Sequence, residues 1–76
     1  MSLCDLKLQD KAIIKNINHS ENIKRRLYDM GLTEGAIVKL ILESPSKLIK
    51  GYLIRDSLIA IRNCDAEKIL VRDIYG

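Results

Sequence analysis

The chain has no tryptophan and no phenylalanine; Tyr28, Tyr52 and Tyr75 are its only large aromatic residues. Its core must therefore be aliphatic, and it lacks the row of rings on which single-stranded nucleic acid stacks. Histidine occurs once, as His19, and cysteine twice, as Cys4 and Cys64. One histidine cannot supply the two-histidine iron triad. Two isolated cysteines make neither a four-ligand zinc cage nor a disulfide framework. Catalysis lacks a constellation as well. Serines stand at 2, 20, 44, 46 and 57, but the single histidine neighbours Ser20 at a helix start. Adjacent residues on a helix point apart, so no nucleophile–base pair is implied. The chain is not expected to be an enzyme. No run approaches the ~18 apolar residues of a membrane span. Asp5, Lys7, Gln9 and Asp10 interrupt anything resembling a signal peptide. A cytoplasmic protein with reduced thiols is expected, reaching a membrane only through a partner.

What is present is an ordinary globular composition, 47% hydrophobic and 30% charged. The 76 residues suit one domain, 1–76, which at this size buries only about 60% of the unfolded chain's surface. Thirteen basic and 10 acidic residues give a net charge of +3. The signs are mixed along the chain. Lys24, Arg25 and Arg26 are the nearest thing to a basic cluster, but on a helix they point about 100° apart. They read as a solvated face, and no nucleic-acid partner is expected. The sequence pI of about 9.0 keeps a small basic nucleic-acid-binding barrel as the alternative.

Isoleucine-rich residues 11–17 read as a strand. The period then changes over 18–31, where Ile23, Leu27 and Met30 form a narrow apolar helical stripe. Asn18 and Glu21 have capping-box spacing, with Ser20 a competing cap. Residues 36–44 read as a strand with Val38, Leu40 and Leu42 on one face. Pro45 marks a turn. Residues 48–55 and 58–62 read as strands joined at Asp56-Ser57, a link suited to a tight hairpin. Asn63 can cap a helical turn at 64–68, and a last strand is expected over 69–75. The sum is a mainly β chain with one short helix, folded as a small closed barrel of about five strands.

Gly31 and Gly35, two of only four glycines, decide between a phosphate loop and a pair of turns. Phosphate loops run from strand through glycines into a helix. Here the order is helix, glycines, strand, so the phosphate reading fails on direction. Gly31 is expected to end the helix and Gly35 to close the turn before the next strand.

The segment around these glycines resembles the signature of FeoA-domain proteins, matched by Arg26, Leu27, Met30, Gly31, Leu32, Gly35 and Val38. The likeness extends through Pro45, Ala60–Arg62, Ala66, Ile69 and Val71. Three positions depart from the pattern. Gln9 stands where a glycine usually opens the first strand, Ile49 where a second proline is usual, and Asp56 where the hairpin usually carries glycine. The resemblance implies an SH3-like β-barrel, similar to the C-terminal domain of metalloregulators of the diphtheria-toxin-repressor class. It implies an accessory to ferrous iron uptake that binds the cytosolic GTP-binding region of the transporter FeoB. A detached regulatory domain contacting a metalloregulator is a further alternative, and self-association is left open.

No intrinsic cofactor or metal site is expected. Cys64, beside Asp65, reads as filling space next to the helical turn; a weak or transient contact with ferrous iron or another divalent metal is the rival reading. His19 reads as solvated or capping. For a partner, the helix offers Lys24 and Tyr28 at i, i+4. Tyr28 is placed either over the barrel mouth, the favoured position, or as an interface anchor. The loop carrying Lys47 is the second candidate contact.

Overall fold

The computed structural model describes residues 1–74. A 3-10 turn, Leu3–Asp5, leads into strand β1 (Lys11–Ile17) and helix α1 (Glu21–Asp29). Strands β2 (Ile37–Glu43), β3 (Ile49–Ile54) and β4 (Ser57–Arg62) follow, then the one-turn helix α2 (Asn63–Ala66) and strand β5 (Ile69–Asp73). These strands form one antiparallel sheet in the order β4-β3-β2-β1-β5. Among the described residues β4 and β5 do not pair, so the expected closed barrel is an SH3-like sheet with an open seam between its two end strands.

Bulges bend the sheet around its core. Pairing shifts between Ile14 and Asn16 in β1, and between Leu40 and Leu42 in β2. An extra residue in one strand kinks it and increases its twist. In β2 the bulge also reverses the facing of the residues beyond it. Val38 and Leu40 are fully buried, while Leu42 is 53% exposed. The expected Val38–Leu40–Leu42 face is therefore broken after its second member. The extra residue, Ile41, displaces the alternation by one.

The aliphatic core gathers Ile14, Ile17, Leu40, Ile54, Ile69 and Val71 from all strands but β4, which adds Ile61. Tyr52 is wholly buried, and its hydroxyl donates to the Leu3 carbonyl at 3.3 Å. Leu3 and Leu6 join the core as well. The Lys50 ammonium holds the same segment, donating to the Cys4 carbonyl at 3.0 Å.

α1 is shorter than its apolar period suggests. Ser20 is the residue before its first turn, without a side-chain capping bond. Only Leu27 of the expected stripe is buried; Ile23 and Met30 are 38% and 44% exposed. The helix closes in a Schellman arrangement, in which the Leu32 amide donates to Leu27 and the Gly31 amide to Tyr28. Gly31 takes φ +96° there, and the buried Leu32 packs back to the core. Gly35 takes φ +88° and donates to the Ile14 carbonyl at 2.7 Å, fastening the turn to β1. Both glycines are turn residues.

The β3–β4 hairpin turns one residue earlier than expected, on Arg55 and Asp56, with φ +49° and +66°. Two consecutive left-handed residues make a turn whose twist matches the flanking strands. β5 ends at Asp73; Tyr75, expected in that strand, lies outside the described residues.

Candidate functional site

Lys24 and Tyr28 stand one turn apart on α1, and the turn after the helix brings Glu34 up to them. The Tyr28 hydroxyl donates to the Glu34 carboxylate, at 2.8 and 2.9 Å from its two oxygens. Tyr28 is 38% exposed, and its hydroxyl is directed to Glu34. This bond raises the Tyr28 pKa above its ordinary value, because ionisation would set a phenolate against a carboxylate. Glu34 is lowered by the same bond, then by its own backbone amide and by nearby Lys24. The result is an exposed Lys–Tyr–Glu cluster with both charge signs and an aromatic ring.

Lys47 lies elsewhere, in the β2–β3 loop, at φ +62°. Its carbonyl accepts from the Asn63 amide side chain, tying the loop to α2. Asn63 Oδ1 is buried without a partner. Asn63 is thus a bracket between loop and helix, and Arg62 occupies the cap position before α2.

Two further residues sit differently from expectation. His19 is half-buried, with Nε2 2.9 Å from the Asp65 carbonyl. It ties the approach to α1 onto α2 across 46 residues of sequence, a contact no local pattern announces. Cys64 is exposed rather than filling space, because the single turn of α2 directs Ala66 inward. Cys4 is half-buried, with Sγ 2.9 Å from Ser2 Oγ. Among the described residues no three His, Cys, Asp or Glu side chains gather as metal ligands.

Shallow depressions mark the rest of the surface. One of about 180 Å³ lies between α1 and the end of β4, lined by Ile23, Arg26, Met30, Arg62 and Asp65. Arg62 there pairs with Asp65 at 3.3 Å. A larger groove, about 390 Å³, lies on the outer face of β2–β4 and is lined mainly by Leu42, Ile49, Gly51, Leu58 and Ala60. Another, about 320 Å³, continues from Ile49 past Leu48 to Asn63 and Cys64. The groove on β2–β4 is chiefly aliphatic. Of the motif residues, Leu27, Leu32 and Val38 are core, Gly31 and Gly35 are turns, and Arg26 and Met30 face the groove beside α1.

Comparison with known proteins bears on this surface. The FeoA domain model matches residues 1–73. A sequence search of curated proteins gave no significant match. Among solved structures, the FeoA protein of Chlorobium tepidum superposes with a TM-score of 0.94 at 30% identity, covering 100% of this chain and 72% of that one. The zinc-complexed FeoA of Stenotrophomonas maltophilia, described as a procaryotic SH3 domain protein and a candidate ferrous iron transport activating factor, gives 0.79 at 24% identity, covering 93% and 88%. A manganese-dependent transcriptional repressor gives 0.86 at 12% identity, covering 97% of this chain but 36% of the repressor. That likeness is one of fold. The family match over residues 1–73 takes in every element from the first turn through β5, and the chain belongs to the FeoA-domain family.

Proposed function

We propose that this chain is a non-enzymatic cytoplasmic accessory of ferrous iron uptake that binds the cytosolic GTP-binding region of the transporter FeoB. The observation that carries the reading is the FeoA match over residues 1–73, on a fold shared with FeoA proteins. A surface of shallow aliphatic grooves and an exposed Lys24–Tyr28–Glu34 cluster suits contact with a protein better than enclosure of a substrate. In this reading Lys24 and Tyr28 meet the partner from α1, and Lys47 from the β2–β3 loop.

Iron is the cargo of the transporter, not a resident group of this chain. Among the described residues no three His, Cys, Asp or Glu side chains gather as its ligands, and His19 Nε2 lies 2.9 Å from the Asp65 carbonyl. Any contact with ferrous iron or another divalent metal is weak and transient, and no step of the mechanism passes through it.

The mechanism is differential affinity. An accessory shifts a transporter's equilibrium only by binding its nucleotide states unequally. The test is an amide NMR titration with the GTP-binding region of FeoB from the same organism, carried out with GDP and with a non-hydrolysable GTP analogue. Saturable shifts at Lys24, Tyr28 and Lys47 that differ between nucleotides are expected. Identical shifts in both states, or none at high micromolar partner, contradict the switch.

A further inference from the structure

The two end strands of the sheet are treated differently. β5 is overlaid by residues 1–2: the Val71 amide donates to the Met1 carbonyl at 2.9 Å, and Ser2 bridges to Leu70. Among the described residues β4 pairs only with β3. Ser57, Leu58 and Ala60 are exposed along it. Ser57–Ile61 carry neither charge nor proline, the devices that ordinarily guard an edge against another strand. The charges stand at the two ends instead, Asp56 in the turn before β4 and Arg62 at its close.

Backbone alternation limits how such an edge can be paired. The Asn63 amide donates to the Leu48 carbonyl, one step beyond the pairing of Arg62 with Ile49. By alternation Ser57, Ile59 and Ile61 turn their amides and carbonyls toward β3, and Leu58, Ala60 and Arg62 turn theirs to the open side. An antiparallel copy of β4 must therefore set its own Leu58, Ala60 or Arg62 opposite Leu58. The first choice sets large against large and leaves Arg62 without a counterpart. The last spends Arg62 on a leucine. Leu58 opposite Ala60 sets large against small, and the same two-fold axis brings Arg62 of each copy to Asp56 of the other.

Both faces of that pairing are apolar. On the outer face, register already aligns Leu42, Gly51 and Ala60 in one row across the sheet. Gly51 and Ala60 floor the groove there, and Leu58 of the second copy closes the row beside Ala60. On the inner face Ile59, partly buried against the core, comes opposite Ile59 of the second copy. In a pair without hydrogen bonds such side chains lie close. The ends are complementary in charge. Arg62 reaches Asp65 through Nε at 3.3 Å and keeps its side chain 69% exposed, so its terminal nitrogens are left to meet Asp56. Arg55, the other base of the hairpin, donates to Thr33.

We propose that the chain forms a two-fold dimer by antiparallel pairing of β4 with β4 of a second copy, Leu58 opposite Ala60 and Ile59 opposite itself. The assembly is closed. Pairing consumes both free β4 edges, and β5 keeps its cover of residues 1–2, so growth stops at two copies. The paired residues do not include Lys24, Tyr28 or Glu34, and the inference does not rest on the FeoB reading.

The test is sedimentation equilibrium of the whole chain from micromolar to millimolar concentration, with amide spectra recorded over the same dilution. A passage from 8.7 kDa to twice that mass is expected, with shifts centred on Leu58–Arg62. Asp56→Lys and Arg62→Glu each weaken the dimer at least tenfold while their spectra stay dispersed, because like charges then meet at both ends. An equimolar mixture of the two variants regains the dimer, because every end pair is again of opposite sign. In a Cys4→Ser, Cys64→Ser background, Ile59→Cys crosslinks to a dimer on oxidation and Leu58→Cys does not, since residue 59 alone stands opposite itself. A chain that keeps its monomer mass at millimolar concentration overturns the proposal and leaves β4 to a different protein. It is equally overturned by dilution shifts centred on α1, by a mixture that associates no better than its components, or by any crosslinking pattern other than Ile59→Cys alone.

Discussion

Among the described residues, four that are not glycine, Gln9, Lys47, Arg55 and Asp56, adopt positive φ. Two of them, Gln9 and Asp56, are the positions where the family pattern would carry glycine. That departure is legible in the sequence; its cost shows only in the backbone. A left-handed residue with a Cβ costs about 1–2 kcal/mol, less the extra chain entropy a glycine loses on folding. Gln9→Gly is therefore expected to stabilise the chain by about 0.5–1 kcal/mol, read as a higher urea midpoint at constant slope. Gly31→Ala runs the other way. At φ +96° its new methyl would sit 3.6 Å from Ile54 Cγ2, so space is adequate and the backbone carries the penalty. A loss of about 1–2 kcal/mol is expected, lowering Tm by roughly 4–8 °C per kcal/mol in a domain of this size. The Tyr28–Glu34 bond sets a pH signature. Because the folded-state pKa of Glu34 is below its ordinary 4.5, the bond's contribution is present above that value and is lost as pH falls through the folded value. Carboxyl carbon shifts of Glu34, followed with Tyr28 ring shifts, are expected to move together in that acidic window. In Tyr28→Phe the Glu34 midpoint should return upward.

At the scale of elements, the sequence reveals strands, helix and turns more clearly than the side each residue faces. Ile-rich 11–17 and β-branched 36–44 are strands because their side chains pack on a pleated surface. Bulges leave no period of their own, so the outward turn of Leu42 is hidden. The α1 stripe is visible, yet Ile23 and Met30 stay partly exposed because that side of α1 faces a groove and not a packed element. Residues 1–6 are the larger omission. Leu3 and Leu6 are too few to show a period, and the segment's place depends on Lys50 and Tyr52, 46 and 49 residues from their partners. Tyr52 is raised in pKa chiefly by burial, then by Cys4 and Glu43, so its hydroxyl stays protonated and donates at all ordinary pH. Tyr52→Phe orphans the Leu3 carbonyl from that donor and is expected to cost about 1 kcal/mol. The measurement is thermal unfolding, with residues 1–6 showing faster amide exchange than in the parent protein.

For the molecule as a whole, a 76-residue chain whose described residues place 16 hydrophobic side chains in the buried core cluster has little interior from which to build a cleft, and its surface is what it offers a partner. The partner class is suggested by one motif, but the residues of that motif are mostly occupied with folding: Leu27, Leu32 and Val38 are buried, and the glycines turn the chain. The surface that meets a partner has to be read from exposure, charge and strand order. The proposed function requires this surface to distinguish nucleotide states of the GTP-binding region of FeoB. Titration calorimetry of the whole chain against that region, once loaded with GDP and once with a non-hydrolysable GTP analogue, tests it most directly. Kd values at least tenfold apart are expected, equivalent to about 1.4 kcal/mol of preference for one state. Equal Kd values would contradict it, because a ligand with equal affinity for both states shifts neither.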